Sequence, residues 1–190
     1  AGVKTVEVDG NGRLLIPKDL VGFAGIKKEI VLSFLDDWIN NELSTPNKET
    51  GNLPLCPYAK NAWDGGRVDV SASSDLWADV YATIKSFDDS FKVVICYSEE
   101  HDQTYEELEA ACIALNGWLA EQGKDIWLLS FMDKYAMVFV QRLSDLDDAS
   151  RVLAASGYYD NYGREDYLKL IVDRAKWRQI NDARKKETSS

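Results

Sequence analysis

Beyond the first third of the chain, apolar positions follow the spacing of strands in some stretches and of helices in others. Val68 and Val70 alternate with polar residues, as expected for a half-exposed strand. The stretch 91–98 (FKVVICYS) is almost continuously apolar and predicts the most buried strand. Two further apolar runs, 125–131 and 135–141, flank a short polar turn and predict a hairpin.

Helical spacing predominates between these strands. Residues 103–122 place one apolar stripe on a helix that Gly123 ends; its members are Leu108, Ala111, Cys112, Leu115 and Leu119. Further helices are predicted from a cap at Ser73 or Ser74 to Phe87, from a capping-box-like start at Ser144 to Ala155, and from Arg164 to Lys186. The order predicts an α+β fold with a mixed sheet of about four strands covered by helices.

The first 43 residues have a different organisation. Valines at 3, 6 and 8 predict a strand, the turn chemistry of 9–12 (DGNG) follows, and 13–16 return as a second strand. Pro17 opens a short helix that Gly25 closes, and Glu29–Leu32 is predicted to be a third strand. A helix is then expected over Ser33–Leu43, with Ser33 as its N-cap.

This strand-turn-strand-helix-strand order resembles one repeat of the MraZ family, which is related to AbrB-type swapped-hairpin proteins. Asp9 and Arg13 match the family's DxxxR signature, and the following LLIPKDL also fits. The resemblance implies a DNA-binding regulator made of two such repeats that assembles into rings. Only one repeat is recognisable here, so the alternative is that Asp9 and Arg13 form a structural ion pair across the turn.

A single repeat is too small to bury a core alone, and a second copy of the chain offers matching strand edges. We therefore predict a small swapped-hairpin module at residues 1–32, a second domain at 33–190, and a homo-oligomer formed through residues 3–32. The formal net charge of −10 opposes binding to phosphate backbones, so DNA is an unlikely partner.

The stretch 53–63 (LPLCPYAKNAW) joins the two halves and contains the most suggestive single residue, Cys56. Pro57 suits the first turn of a helix, which would place Cys56 at the N-cap and end the helix at Gly65. The helix dipole, together with Lys60 about one turn on, would then favour the thiolate. The alternative is a small buried packing residue, since no second cysteine or histidine lies nearby in sequence.

His101 is the only histidine and follows the predicted buried strand, within EEHD. Ligands favour the carboxyl ends of strands in sheets with helical crossovers, so Cys56 and His101 are a candidate nucleophile–base pair. Candidate binding residues in this hypothesis are Tyr58, Lys60, Glu99 and Asp102. The alternative is a solvated loop between strand and helix. No metal or cofactor is predicted, because the nucleotide-binding, zinc-protease and serine-hydrolase motifs are missing.

From Phe34 to about residue 140 the chain also resembles an uncharacterised bacterial family called DUF1415. LPLCPYAK matches the family's LxLCPFAK motif; WINNEL precedes it, and VDVS, VVICYS and WLLSF follow. Where the family has a proline-rich YP segment, this chain has 157–163 (GYYDNYG). This aromatic loop is interpreted as packing on the terminal helix, or else as a pocket rim. The resemblance implies one domain and no established activity.

Three cysteines without CxxC spacing predict reduced thiols in a cytoplasm, and no apolar run reaches the roughly 18 residues of a membrane span. The missing catalytic motifs favour a non-catalytic, self-associating accessory or interaction protein of unknown biological role. The alternative is a cysteine-dependent enzyme or small-molecule binder using Cys56 and His101. A further alternative is an MraZ-like DNA-binding transcriptional regulator.

Overall fold

The computed structural model describes residues 7–8, 14–15, 18–72, 74–99 and 102–188. The chain divides into two compact units, Ala1–Trp38 and Ile39–Ser190. In the first unit, strands β1 (Glu7–Val8) and β2 (Leu14–Leu15) pair in antiparallel fashion, and helix α1 (Lys18–Trp38) follows. Asp9 and Arg13 lie outside the described residues, so their predicted pairing stays a prediction.

Helix α1 is continuous where the sequence predicted breaks. The expected helix end at Gly25, the strand at Glu29–Leu32 and the new helix beginning at Ser33 are all wrong. The reason is the four-residue spacing of Val31 and Leu35, both fully buried, which is a helical period and not that of a strand. A glycine inside a helix costs about 1 kcal/mol relative to alanine, less than the burial of two such side chains contributes.

The second unit begins with a π-helical turn (Ile39–Leu43) and a small hairpin of β3 (Pro46–Asn47) and β4 (Leu53–Pro54), with a 3-10 turn at Lys48–Thr50 between them. Then come α2 (Ala59–Asp64), β5 (Val68–Ala72), α3 (Leu76–Ser86), β6 (Val93–Ser98), α4 (Tyr105–Glu121), β7 (Trp127–Met132), β8 (Ala136–Gln141) and α5 (Leu143–Ala155). A 3-10 turn at Tyr158–Asn161 precedes the terminal helical run of α6 (Arg164–Tyr167), a π-helical segment (Leu168–Asp173) and α7 (Arg174–Thr188).

Four strands form the main sheet in the order β5-β6-β8-β7. Strands β5 and β6 are parallel, with α3 as the crossover, whereas β8 runs antiparallel to both β6 and β7. This mixed sheet with its helices confirms the predicted α+β class. The β7–β8 hairpin and the order of elements from β5 onward are also as predicted.

The hydrophobic core lies between one face of this sheet and helices α3 and α4. Its most buried members are Val80, Cys96, Leu108, Cys112, Leu119, Leu128, Val138 and Val140. The helical spacing of those in α4 is the pattern that predicted this helix, and those in β8 lie in the apolar run that predicted the second strand of the hairpin. Burying one such side chain contributes about 1.5–3 kcal/mol, so this shared core fixes both helices on the sheet.

Strand β7 is an outer strand, and a side chain from α4 pairs with its backbone. Asn116 Oδ1 accepts from the N–H of Leu128 at 2.7 Å, and Asn116 Nδ2 donates to the Leu128 carbonyl at 2.9 Å. Asn116 is buried, so both backbone groups would otherwise be buried without partners. The side-chain amide of Asn116 thus supplies hydrogen-bond partners to the backbone of this outer strand from a neighbouring helix.

Helix α7 packs along α4, and a glycine permits the close approach. A Cβ at Gly117 would lie 3.2 Å from the indole ring of Trp177, so a larger residue would push the helices apart. Asn181 is fully buried, and its Nδ2 donates to the carbonyl of Lys124 at 2.7 Å, just beyond the end of α4. These contacts dock the terminal helix on the domain.

Asp125 lies next to this contact and links three elements. It accepts from the N–H and the hydroxyl of Ser144 at 2.9 and 2.6 Å, and it lies 3.8 Å from Arg178 and 3.5 Å from Lys185 of α7. Burial alone would raise the pKa of Asp125, but the Ser144 bonds and the two cations outweigh it and lower the pKa. The predicted capping box at Ser144 is therefore wrong, because Asp125 caps helix α5 from outside the helix.

A second predicted cap is also displaced. Ser73 lies outside the described residues, and the cap of α3 is Asp75 and not Ser74: the carboxylate of Asp75 accepts from the N–H of Ala78 at 3.0 Å. Asp75 directly precedes the first helical residue, which is the position from which a short side chain reaches that N–H.

We expect Asp125→Asn to lower the free energy of unfolding by about 1–3 kcal/mol at neutral pH, because it removes hydrogen bonds to a charged group. The folded-state pKa of Asp125 is lowered, so its contribution is complete above the unfolded pKa of about 4 and is lost as the pH falls through the folded value. The difference between the two proteins in urea titrations should therefore shrink below about pH 4.

Asp148→Asn is the matched control, since Asp148 is an exposed residue of α5 whose nearest cation, Arg151, lies 3.9 Å away. Its effect should be below about 1 kcal/mol. A difference in unfolding free energy between wild type and Asp125→Asn that stays constant down to acidic pH would contradict the proposed linkage.

Candidate functional site

The β3–β4 hairpin precedes Cys56 and is closed by its own polar groups. The N–H of Asn52 donates to the carbonyl of Asn47 at 2.8 Å. The buried hydroxyl of Thr50 bonds to the same carbonyl at 3.1 Å. Gly51 and Asn52 have φ angles of 70° and 65°, a left-handed conformation that glycine and asparagine tolerate best. These turn residues thus fix the path of the backbone that leads to Cys56.

This hairpin docks on the 3-10 turn at Tyr158–Asn161. The hydroxyl of Tyr158 donates to the carbonyl of Pro54. A Cβ at Gly51 would overlap the side-chain amide of Asn161. The hairpin can therefore lie this close to the 3-10 turn only because residue 51 is a glycine. The cysteine-containing stretch and the aromatic loop, which the sequence presented as separate features, therefore form one site.

Cys56 does not cap a helix. Its N–H donates to the carbonyl of Leu43 at 2.8 Å, and its own carbonyl accepts from Ala59 at 3.3 Å. Helix α2 begins at Ala59 with Tyr58 in the N-cap position and without a side-chain cap. The predicted N-cap role is therefore wrong, because a turn at Pro57 and Tyr58 precedes the helix.

The thiol of Cys56 is correspondingly not activated. Burial raises its pKa, and the backbone N–H groups of Tyr58 and Ala59 only partly oppose that effect. The ammonium of Lys60 bonds to Asn40 Oδ1 at 2.6 Å and lies 3.2 Å from Asp64. The prediction of a thiolate favoured by a helix terminus and Lys60 is thus wrong in direction.

The remaining predicted site residues are scattered or undescribed. Tyr58 is 43% exposed, and Glu99 and Asp102 are exposed where β6 ends and α4 approaches. His101 lies outside the described residues, so its pairing with Cys56 stays a prediction. Within the described part of the chain, no group of three His, Cys, Asp or Glu side chains is placed to hold a metal ion.

Three tyrosines pack against one another at the 3-10 turn and directly after it. Tyr158 and Tyr159 meet edge to face with ring centroids 5.0 Å apart, and Tyr162 lies 5.6 and 5.3 Å from them. Burial raises the pKa of Tyr158 and of Tyr159, and the neighbouring Cys56 contributes in both cases. The phenols of Tyr158 and Tyr159 and the thiol of Cys56 are therefore neutral at neutral pH. Tyr159 also contacts Tyr167 of the terminal helical run at 6.2 Å, as the packing interpretation predicted.

Sequence reasoning missed the polar residues that complete this cluster. Arg174 is 5% exposed and donates to the hydroxyl of Ser150; Tyr159 donates to the same hydroxyl at 3.4 Å. Asp147 is also buried, in an ion pair with Arg151. One signal was available: Arg174 and Asn181 stand seven residues apart in the terminal helix, which is the spacing of a single buried face.

Comparison with known proteins finds similarity in the N-terminal region. A segment of 33 residues, 17% of the chain, is 94% identical to the transcriptional regulator MraZ of Christiangramia forsetii. A match of the same length is 64% identical to MraZ of Flavobacterium psychrophilum. Each match covers 21% of the relative, so the chain spans about a fifth of the length of the curated relatives it matches.

No family model matches the chain, and no solved structure matches it. The resemblance of a short N-terminal segment to MraZ is thus confirmed. The resemblance to DUF1415 and the division of the chain at residue 32 stay predictions.

We expect Cys56 to be alkylated by iodoacetamide before the other two cysteines in the native protein. Cys56 is partly exposed, whereas Cys96 and Cys112 are buried and burial raises the pKa of both to about 12. Because the pKa of Cys56 is also raised, its rate should still increase above about pH 8.5, the ordinary value for a thiol. Mass spectrometry of the intact protein against pH measures this, with Cys56→Ser as the control that lacks the fast phase. A rate that levels off below about pH 8 would contradict the assignment.

Proposed function

We propose that this chain is a non-catalytic, self-associating accessory protein in which the MraZ-like segment makes the contact between copies. The observation that carries the proposal is the 94% identity of 33 residues to the MraZ protein of Christiangramia forsetii. In the described residues of that segment, β1 and β2 are two residues long and form a two-stranded sheet. A sheet of this size is marginal alone and gains stability when its edges pair with another copy.

The chemistry around Cys56 supports a binding role over a catalytic one. A cysteine nucleophile needs a lowered pKa or an adjacent base, and burial raises the pKa of Cys56. The neighbouring side chains are tyrosines whose own pKa values are raised, so they do not accept its proton at neutral pH. The cysteine-dependent enzyme with His101 as base remains the weaker alternative.

The proposal includes a cytoplasmic location and membership of the second unit in a DUF1415-like group. The three cysteines are free, which suits a reducing compartment. In the described ranges, no helix is both long and apolar enough to cross a membrane. The LPLCPYAK stretch that carries the family resemblance forms the hairpin strand β4, the turn at Cys56 and the start of α2.

Self-association is tested by light scattering on the full-length chain during size-exclusion chromatography, over a wide range of loading concentration. We expect an oligomer that dissociates in Leu15→Pro, because Leu15 lies opposite Glu7 in the strand pair and proline removes a backbone donor there. Leu15→Val, which suits a strand, is the matched control and should stay associated. A monomeric wild-type chain at every concentration would refute the proposal.

An MraZ-like regulator is the second candidate, because both relatives are named transcriptional regulators. The net charge of −10 disfavours it, and we expect binding to duplex DNA to be weak and abolished at about 0.15 M salt. Fluorescence anisotropy against salt concentration measures this. Sequence-specific retention at that salt concentration, lost in Arg13→Ala, would favour the regulator instead.

A further inference from the structure

We propose that the cluster of Arg174, Ser150 and Tyr159 binds the oxyanion of a small ligand, a carboxylate or a phosphate. The three residues come from the start of α7, from α5 and from the 3-10 turn beside Cys56. None of them belongs to the MraZ-like segment, so this inference stands independently of the proposed self-association.

Arg174 carries the open hydrogen-bond donor of this cluster. It is 5% exposed, and one edge of its guanidinium donates to the hydroxyl of Ser150. Its Nε atom is buried and has no hydrogen-bond partner among the described residues. Burial lowers the pKa of Arg174, but a guanidinium stays protonated in proteins. A buried charged donor without an acceptor is costly.

The surrounding side chains compensate the guanidinium only in part: the phenol oxygen of Tyr159 accepts from it, while Nε keeps no partner among the described residues. Asp147 is buried and attracts Arg174 through space, but its direct ion pair is with Arg151. Burial raises the pKa of Tyr159, so its phenol stays neutral and adds no negative charge. The guanidinium therefore keeps an open donor next to neutral hydroxyl groups.

The geometry of these donors selects the ligand. Nε and Nη2 share one edge of the planar guanidinium, and Nη2 already donates to Ser150. An oxyanion would therefore accept from the open Nε–H and from the Ser150 hydroxyl beside it. The Ser150 oxygen accepts from both Arg174 and Tyr159, which leaves its own hydrogen to donate. Tyr158 and Tyr162 pack against Tyr159 at 5.0 and 5.3 Å. This aromatic surface favours an organic carboxylate over inorganic phosphate.

The test uses the full-length protein with acetate, benzoate and inorganic phosphate as probes, each at an ionic strength matched with sodium chloride. The readout is the Nε–H resonance of Arg174 in proton–nitrogen spectra, assigned by its loss in Arg174→Gln. We expect it to shift saturably with at least one of the probes, most tightly with benzoate. Ser150→Ala should weaken that binding about tenfold, the effect of losing one hydrogen bond to a charged group.

Arg184→Gln is the matched control, because Arg184 lies on the same helix, is half exposed and pairs with Glu187. It should bind the probes as the wild type does. Ser150→Ala keeps the test decisive if Arg174→Gln fails to fold. No saturable shift with any probe would overturn the proposal. Equal weakening by Ser150→Ala and Arg184→Gln would also overturn it, since general surface charge would then explain the binding.

Discussion

The partly buried carboxylate of Asp125 holds the second unit together at the turn between α4 and β7. It caps α5 through Ser144 and attracts two cations of α7, while the adjacent Lys124 carbonyl accepts from Asn181. The chain can make this turn because Gly123 adopts a φ of 68°. Since α7 begins at Arg174, the contacts that fix the end of this helix also determine where the candidate anion site lies.

Asp125 is partly buried and Arg174 is buried. Both are charged, yet they differ in whether their polar atoms have hydrogen-bond partners. Each oxygen of Asp125 accepts a hydrogen bond from Ser144, and the net effect lowers its pKa. That is the pattern of a structural charge whose desolvation is offset. Arg174 keeps a buried Nε–H without a partner in the described part of the chain. The open donor of Arg174 is the difference on which the proposed anion site rests.

Local periodicity predicted the parts of the fold that depend on neighbours in sequence. The apolar run at β6, the stripe on α4 and the β7–β8 hairpin were all located, because strand and helix periods are readable over one element. The continuity of α1 was missed because Gly25 and a β-branched stretch favour a break locally, while the burial of Val31 and Leu35 decides against it.

The candidate site was only half predictable for a related reason. Cys56 and the tyrosine loop stood out by residue type, but their contact joins Pro54 to Tyr158, 104 positions apart. The N-cap role of Cys56 rested on Pro57 alone and overlooked the turn that precedes α2. Arg174 and Ser150 have no distinctive motif, and only the folded chain brings them together. In the proposed anion site these residues would act as hydrogen-bond donors, beside the neutral phenol of Tyr159. The specificity of such a site would lie in the placement of its donors and not in a reactive group.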